Sequence, residues 1–412
     1  MNMQGDETLT LCDLTQSWSP SGGGISTYLA EKRRYIAAET DHRHVLIVPG
    51  ETDRVIVDGR LVHCEVEAPP VRGSPNYRFI LNLNKVRALL AEYRPDLIES
   101  LCPWVLPWAV LQHRQRHPET ATVAGYRTDF PNAHVYRVGR DLFGHSVAAG
   151  ARSLSYAYAR WLYRRFDAVY TLNETAAGKL RRLGVGPIDI LPLGVDSDIF
   201  HPAKRDLEFR RSLGVADDEP LLIYAGRVDN EKRVQTVVDA FMALPGDFRA
   251  SLLIVGVGKL MDSIREQTRG RRVHLPGFKG KRRDLARALA SSDIYVSGMA
   301  DETFGISVIE AQACGLPVIG VASGAMTDRV PAGLGHLVPV DDGEAMAAAI
   351  QRLWREDAKA AGRRARQHVL DNFTWDRTFQ TLINHIYVRA LSHGARRSPR
   401  ARLGRPGILP TR

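Results

Sequence analysis

The run Asp301-Glu302-Thr303-Phe304-Gly305 leads into an apolar segment, Ile306 to Ala313, that stops at Cys314-Gly315-Leu316-Pro317. Gly305 falls where a helix would begin, so free backbone N–H groups and the positive end of the helix dipole would face an anion there. Glu302 precedes that helix, and Glu310 lies inside it among Ile306, Val308, Ile309 and Ala313. A carboxylate in apolar surroundings needs a partner. A vicinal diol such as a ribose offers two O–H donors, each charge-assisted bond worth about 1.5–3 kcal/mol. A second group of charges stands in Gly226-Arg227-Val228-Asp229-Asn230-Glu231-Lys232. Arg227 supplies a planar fork and Lys232 a point charge. Asp229 can cap the next helix, which would put Lys232 in its first turn against the dipole, at about 0.3–1 kcal/mol. A bound diphosphate would offset that cost. A third segment, Ser21-Gly22-Gly23-Gly24-Ile25-Ser26-Thr27-Tyr28, opens a helix after a strand over 9–14, and its glycines let backbone approach a ligand closely.

Three other constellations carry less. Asp196-Ser197-Asp198 has the look of a metal-binding acidic pair, but it lies in a stretch without periodicity, and no metal is expected. His113 and His117 share helical spacing without a neighbouring Glu, and Pro118 ends the helix. Gly256-Val257-Gly258-Lys259-Leu260-Met261 starts like a dinucleotide fingerprint and has Met where the third Gly belongs. A nicotinamide-dependent oxidoreductase on similar domains is therefore the alternative reading, and that missing Gly argues against it.

Short β-branched runs over 44–49, 54–57, 96–99, 122–125, 168–172 and 188–193 alternate with amphipathic patterns such as 77–93 and 151–166. A second series follows over 221–225, 251–255, 273–275, 294–297, 317–321 and 336–340. This is the signature of parallel α/β layers, here two Rossmann-like domains in tandem. The expected division is 1–196 and 197–372, then a helix over 373–392 that packs back across the boundary, then a disordered basic tail over 393–412. Ligands bind at the carboxyl ends of strands in such sheets, and the cleft between two such domains is the expected site.

A chain of 412 residues with 44% hydrophobic and 25% charged residues reads as ordinary folded protein. The polar N-terminus lacks the pattern of a signal peptide, no apolar run is long enough to span a bilayer, and four scattered cysteines suit a reducing compartment; a cytoplasmic location is expected. Of the net charge of +10, six units sit in arginines from His393 onward. Such a tail, with Arg72, Arg78, Lys85, Arg87 and Arg94 near an amphipathic pattern, suits an anionic membrane surface at the inner face of the membrane. Nucleic acid can meet the same tail, but nothing else in the chain supports it.

Taken together, ETFGISVIEAQACGLPVIG, GRVDNEKR, LGVDSDIFHP and FTWDRTF resemble, in order and over nearly the whole chain, the retaining glycosyltransferases of family 4, built on two Rossmann domains (GT-B type). The likeness is nearest to the branch that moves mannose or glucose onto lipids. It implies a hexose transferred from a GDP- or UDP-sugar to a hydroxyl of a lipid or saccharide, with retention of anomeric configuration and no cofactor. It further implies that Glu310 holds the donor ribose, that Glu302 with the backbone of Phe304, Gly305 and Ile306 faces sugar and diphosphate, and that Arg227 and Lys232 neutralise the departing diphosphate. Gly23 and Gly24 would close over the donor, and Phe278, in His274-Leu275-Pro276-Gly277-Phe278, would lie beside the base. Many relatives carry His where this chain has Arg127, in Gly125-Tyr126-Arg127-Thr128-Asp129-Phe130-Pro131; Asp129 is then the expected acceptor-side residue, with His134 behind it.

Overall fold

The structure, a computed structural model, describes residues 8–19, 24–71, 74–277 and 280–397. The chain falls into two compact units. One holds everything up to Leu191 together with Thr378 onward, and the other is Pro192–Arg377.

In the first unit the strands are β1 (Thr10–Leu14), β2 (Arg43–Gly50), β3 (Arg54–Asp58), β4 (Leu61–Glu67), the short pair β5 (Pro70–Val71) and β6 (Ser74–Arg78), β7 (Leu97–Ser100), β8 (Ala121–Tyr126), β9 (Ala168–Thr171) and β10 (Ile188–Ile190). Eight of them form one sheet in the order β10-β9-β8-β7-β1-β2-β4-β3. Every neighbour is parallel except β3, which runs antiparallel to β4 at the edge. The sequence places 54–57 in a parallel series; the structure corrects this, because a two-residue link from β3 to β4 permits only a hairpin. Helices cover both faces, so the central strands are apolar on both sides: Val45, Leu46, Ile47 and Val48 are all buried.

Several helix boundaries move for local reasons. The pattern over 77–93 becomes a helix only at Leu83–Tyr93, where the Asn82 side chain accepts a hydrogen bond from the Asn84 N–H. That over 151–166 is His145–Tyr163. The final pattern divides into Trp375–Thr381, a π-helical Leu382–Tyr387 and Val388–Arg397. The expected tail is corrected at its start: His393–Arg397 are helical, and Arg397 bonds Asp167 and the carbonyls of Pro118 and Thr120. Residues 398–412 lie outside the described residues.

Beneath the β1–β7 junction lies a buried charged cluster. Lys32, from the helix Gly24–Glu39, sets its Nζ 2.6 Å from both Asp13 Oδ1 and Glu99 Oε2. Burial opposes the charge on each partner, but the ion pairs win, so the Asp13 carboxyl is held below its usual range and the Lys32 ammonium above its own. Tyr28 and Tyr170 donate to Glu99 at 3.1 and 2.5 Å, and Tyr387 from the C-terminal segment joins them.

The second unit is a sheet of β11 (Leu221–Ala225), β12 (Ser251–Val255), β13 (Val273–His274), β14 (Ile294–Val296), β15 (Val318–Val321) and β16 (Gly335–Val338). Its order, β13-β12-β11-β14-β15-β16, is the doubly wound order, with the switch point between β11 and β14. Gly194 in the entering segment lies against Trp375, where a Cβ would come within 2.3 Å of the Trp375 nitrogen. This contact explains why LGVDSDIFHP and FTWDRTF go together.

Candidate active site

Because β11 and β14 are neighbours and diverge only beyond their carboxyl ends, the two charged segments read from the sequence open side by side. Residues 226–232 follow β11 and residues 297–305 follow β14. Lys232 Nζ stands 3.3 Å from Glu302 Oε2. Two buried tyrosines hold these loops from below. Tyr224 donates to the Arg227 carbonyl at 2.7 Å, and Tyr295 donates to the Ala225 carbonyl at 3.3 Å while its oxygen lies in hydrogen-bond contact with the Ser307 hydroxyl at 2.8 Å.

Asp229 is a cap, as expected, accepting from the Lys232 N–H at 3.1 Å. It caps a 3-10 turn, Asn230–Lys232, and the helix begins afterwards at Val234 behind a left-handed Arg233. Lys232 therefore lies outside the helix, and the expected dipole penalty does not arise. Arg227 is mostly exposed and pairs with Asp229 at 2.5 Å and Glu231 at 2.8 Å.

Gly305 caps the helix Ile306–Ala313 in a left-handed conformation, φ 82°, which a side chain would strain. Among the described residues no side chain caps that helix, so the backbone N–H groups of Ile306 and Ser307 are available to an anion. The turn itself is braced from behind. The Ala325 N–H donates to the Glu302 carbonyl at 3.0 Å. Arg329 donates from Nε to the Phe304 carbonyl at 2.9 Å, with its guanidinium over the rings of Phe304 and Phe373 at 4.3 and 4.7 Å. Glu310 lies one turn into the helix, almost wholly buried, with Arg282 Nη2 3.8 Å away. Burial pushes its carboxyl up to about 7, with Arg282 only partly opposing.

In the first unit Gly24 opens its helix, and among the described residues outside that helix nothing lies within 4 Å of where a Cβ would stand. Gly23 and Phe278 lie outside the described residues. Asp129 is already engaged: it accepts from Tyr126 at 2.8 Å, Asn132 at 2.7 Å, Tyr156 at 3.0 Å and Lys179 at 2.7 Å. Burial raises its carboxyl pKa and those donors more than reverse the effect, leaving it below the ordinary value. His134 packs on the edge of Trp104, ring centres 5.9 Å apart. Arg127, at the end of β8, is buried with its guanidinium 4.1 Å above the Tyr28 ring; its Nη1 has no hydrogen-bond acceptor among the described residues.

The decoys also find explanations. Asp196 accepts from the N–H groups of Asp198 and Ile199, a local turn. Gly256 and Gly258 lie on the second strand's loop and admit the backbone of Gly226 and Val228, where a Cβ would come within 1.8 and 2.1 Å of their carbonyl oxygens. The glycines read as half a dinucleotide fingerprint thus serve packing of the β11 loop. Sequence reasoning missed Arg329 and Arg282. Arg329 stands in the polar run Thr327-Asp328-Arg329 and looked like a surface residue, and nothing marked Arg282.

Comparison with known proteins agrees with this architecture. A family model described as Glycosyltransferase Family 4 matches residues 22–199, and one described as Glycosyl transferases group 1 matches 219–356. A GDP-mannose-dependent alpha-mannosyltransferase of Mycolicibacterium smegmatis is 30% identical over 90% of this chain and 95% of its own. A GDP-mannose-dependent alpha-(1-6)-phosphatidylinositol dimannoside mannosyltransferase of Mycobacterium tuberculosis is 27% identical over 91% and 95%. Among solved structures, sucrose-phosphate synthase from Thermosynechococcus elongatus superposes with a TM-score of 0.71 at 22% identity, covering 91% of this chain and 97% of that one. Anabaena HepE in complex with UDP-glucose gives 0.68 at 18%, covering 91% and 98%. Motif order, doubly wound sheets and end-to-end likeness to a 30% identical relative agree: this chain belongs to the family 4 glycosyltransferases of the two-Rossmann-domain type.

Proposed function

We propose that this glycosyltransferase moves mannose from GDP-mannose to a hydroxyl of a membrane-borne glycolipid, keeping the anomeric configuration and using no bound metal. The donor is inferred from the relatives named as GDP-mannose-dependent, and the acceptor from the one named for a phosphatidylinositol dimannoside. The observation that carries the reading is the convergence at the β11–β14 switch point of Lys232, Glu302, the uncapped helix start at Gly305 and the buried Glu310.

In this reading the diphosphate lies across the helix start and displaces Glu302 as the partner of Lys232. Arg227 exchanges Asp229 and Glu231 for a phosphate oxygen. Charge developing on the leaving diphosphate is then met by fixed cations and backbone dipoles, the largest source of catalysis available here. Glu310 accepts from the ribose hydroxyls as a carboxylate. Glu302, in the same loop as the turn, faces the sugar. Asp129, saturated by four donors, holds the loop after β8 rather than taking a proton.

Calorimetry with GDP, UDP and their sugars tests the donor; binding of no nucleoside diphosphate would sink the proposal. Proton NMR of the first product gives the anomer, and a β-mannoside would contradict retention. Activity that disappears with EDTA and returns with a divalent cation would contradict the metal-free reading.

A further inference from the structure

We infer that edge strand β3 is an interaction surface for a second copy of this chain, paired antiparallel to its own equivalent about a two-fold axis at Ile56. All its residues, Arg54-Val55-Ile56-Val57-Asp58, are exposed, with Val55, Ile56 and Val57 at 50, 44 and 62%. Its one neighbour in the sheet is β4, so its outer side carries a row of unpaired backbone groups. Proteins commonly blunt such an edge with a charge, a proline, a bulge or sheer shortness. The opposite edge of the same sheet is blunted in this way. There β10 has three residues, follows Pro187 and carries Asp189, which bonds Arg389. β3 instead presents three β-branched residues in a row, in unbroken register with β4.

The hairpin decides which backbone groups face outward. Asp58 and Leu61 flank the two-residue turn Gly59-Arg60, and the pair that closes such a turn exchanges hydrogen bonds across the strands. Alternation then directs the backbone of Arg54, Ile56 and Asp58 toward β4. The N–H and C=O of Val55 and Val57 are left on the open side. The side chains alternate as well. Val55 and Val57 share the face of buried Cys64 and Val62, their partners in β4, while Arg54, Ile56 and Asp58 lie on the other face.

The order of residue types selects the partner. Arg-Val-Ile-Val-Asp is complementary to its own reversal. A second copy running antiparallel sets Arg54 opposite Asp58, Val55 opposite Val57 and Ile56 opposite its equivalent. Moving the axis by one residue either way sets Ile56 against Arg54 or against Asp58 and loses both ion pairs. In the matched register Val55 and Val57 of the two copies form the hydrogen-bonded pairs and use the open backbone groups. The closer, non-hydrogen-bonded pairs hold Ile56 against Ile56 and Arg54 against Asp58, both favourable cross-strand combinations. Arg54 bonds Glu65 in its own chain at 2.8 Å through Nη2, yet its side chain is 57% exposed and its fork has further donors for Asp58 of the second copy. Such an isologous contact closes at two copies, because the other edge of the sheet is guarded.

One strand pair buries less than a standard interface, so the expected dimer is weak, with Kd of about 10–100 μM. Sedimentation velocity of the full chain from about 5 to about 300 μM should show monomer giving way to dimer. Ile56→Lys, which sets two ammonium groups face to face on the axis, should weaken association at least about tenfold. Arg54→Asp and Asp58→Arg each place like charges opposite one another and should do the same. An equimolar mixture of those two variants should restore association, because each copy then meets the opposite charge. Amide exchange at Val55 and Val57 should slow as concentration rises, while that of Ile56, already bonded to β4, should not change. The exchange profile and Ile56→Lys keep the inference testable if Arg54→Asp, beside Glu65, misfolds. Monomer throughout the range, association untouched by Ile56→Lys, or no rescue on mixing two folded variants overturns the inference. GDP binding by calorimetry should stay at the wild-type level in every folded variant. Absence of GDP binding with association intact would sink the proposed function and leave this surface standing.

Discussion

Glu310 is the side chain whose chemistry is most exposed to measurement. Its carboxyl is pushed up to about 7 by burial, whereas an exposed Glu titrates near about 4.3. A ribose diol donates to the ionised form, so nucleoside diphosphate affinity should rise as pH rises through neutrality and flatten above it. Glu310→Gln should weaken binding about tenfold and remove that slope, as calorimetry across the pH range would show. Arg329 acts one step behind the site. It holds the Phe304 carbonyl and is stacked on two rings, so it positions the turn that would meet the diphosphate. Arg329→Gln should lower kcat/KM about a hundredfold, chiefly through the donor KM. Arg329→Lys, which keeps the charge but not the fork, should recover only part of that loss. An unchanged donor KM in the Gln variant would reduce Arg329 to packing. The positions of Glu302, Glu310 and Arg227 beside strand ends and a helix start were legible in the sequence, because a strand end, a turn and a helix start fix them locally. Arg329 was not, because its partners Phe304 and Phe373 are distant in sequence.

Among elements, the strands were the most legible and the helix ends the least. A buried parallel strand is a short β-branched run, and both series show it. β4 escaped notice because its Leu-Val-His-Cys-Glu-Val-Glu alternates apolar and polar residues, with Val62, Cys64 and Val66 turned inward. Lys232 was misplaced by one element, since left-handed Arg233 ends the 3-10 turn before the helix starts. The C-terminal segment offers a test at this scale. Tyr387 joins the cluster around Lys32 and Glu99 inside the first unit, and Arg389 pairs with Asp189. Lys32→Met leaves Asp13 and Glu99 buried without their cation and should destabilise the unit by about 3–5 kcal/mol. Tyr387→Phe, which removes one hydroxyl, should cost about 1–2 kcal/mol. Urea titration followed by hydrogen exchange in the first unit would check both, and equal effects would contradict the ranking.

For the whole molecule, two buried carboxyls give opposite pH dependence. Asp13 is held below its ordinary value, so its stabilisation is present above about pH 4 and is lost as acid carries the pH through its lowered folded pKa. Glu310 is raised, so the ligand-free second unit should lose stability as pH climbs from about 4.3 to about 7, because the folded state holds the extra proton. Hydrogen exchange resolved by unit should show protection around Glu310 falling between about pH 4.3 and about pH 7. That fall should be absent in Glu310→Gln. The sequence by itself determined the fold class, the order of motifs and the charged loops after β11 and β14, because each depends on periodicity or on turn chemistry within a few residues. Tertiary structure alone decided which charges meet which. The adjacency of β11 and β14 brings Lys232 to Glu302 across seventy residues of chain. Burial decides that Glu310 can titrate near neutrality, and four converging donors occupy Asp129. Spacing along a chain carries neither distance nor dielectric, and those two quantities set what an ionisable group can do.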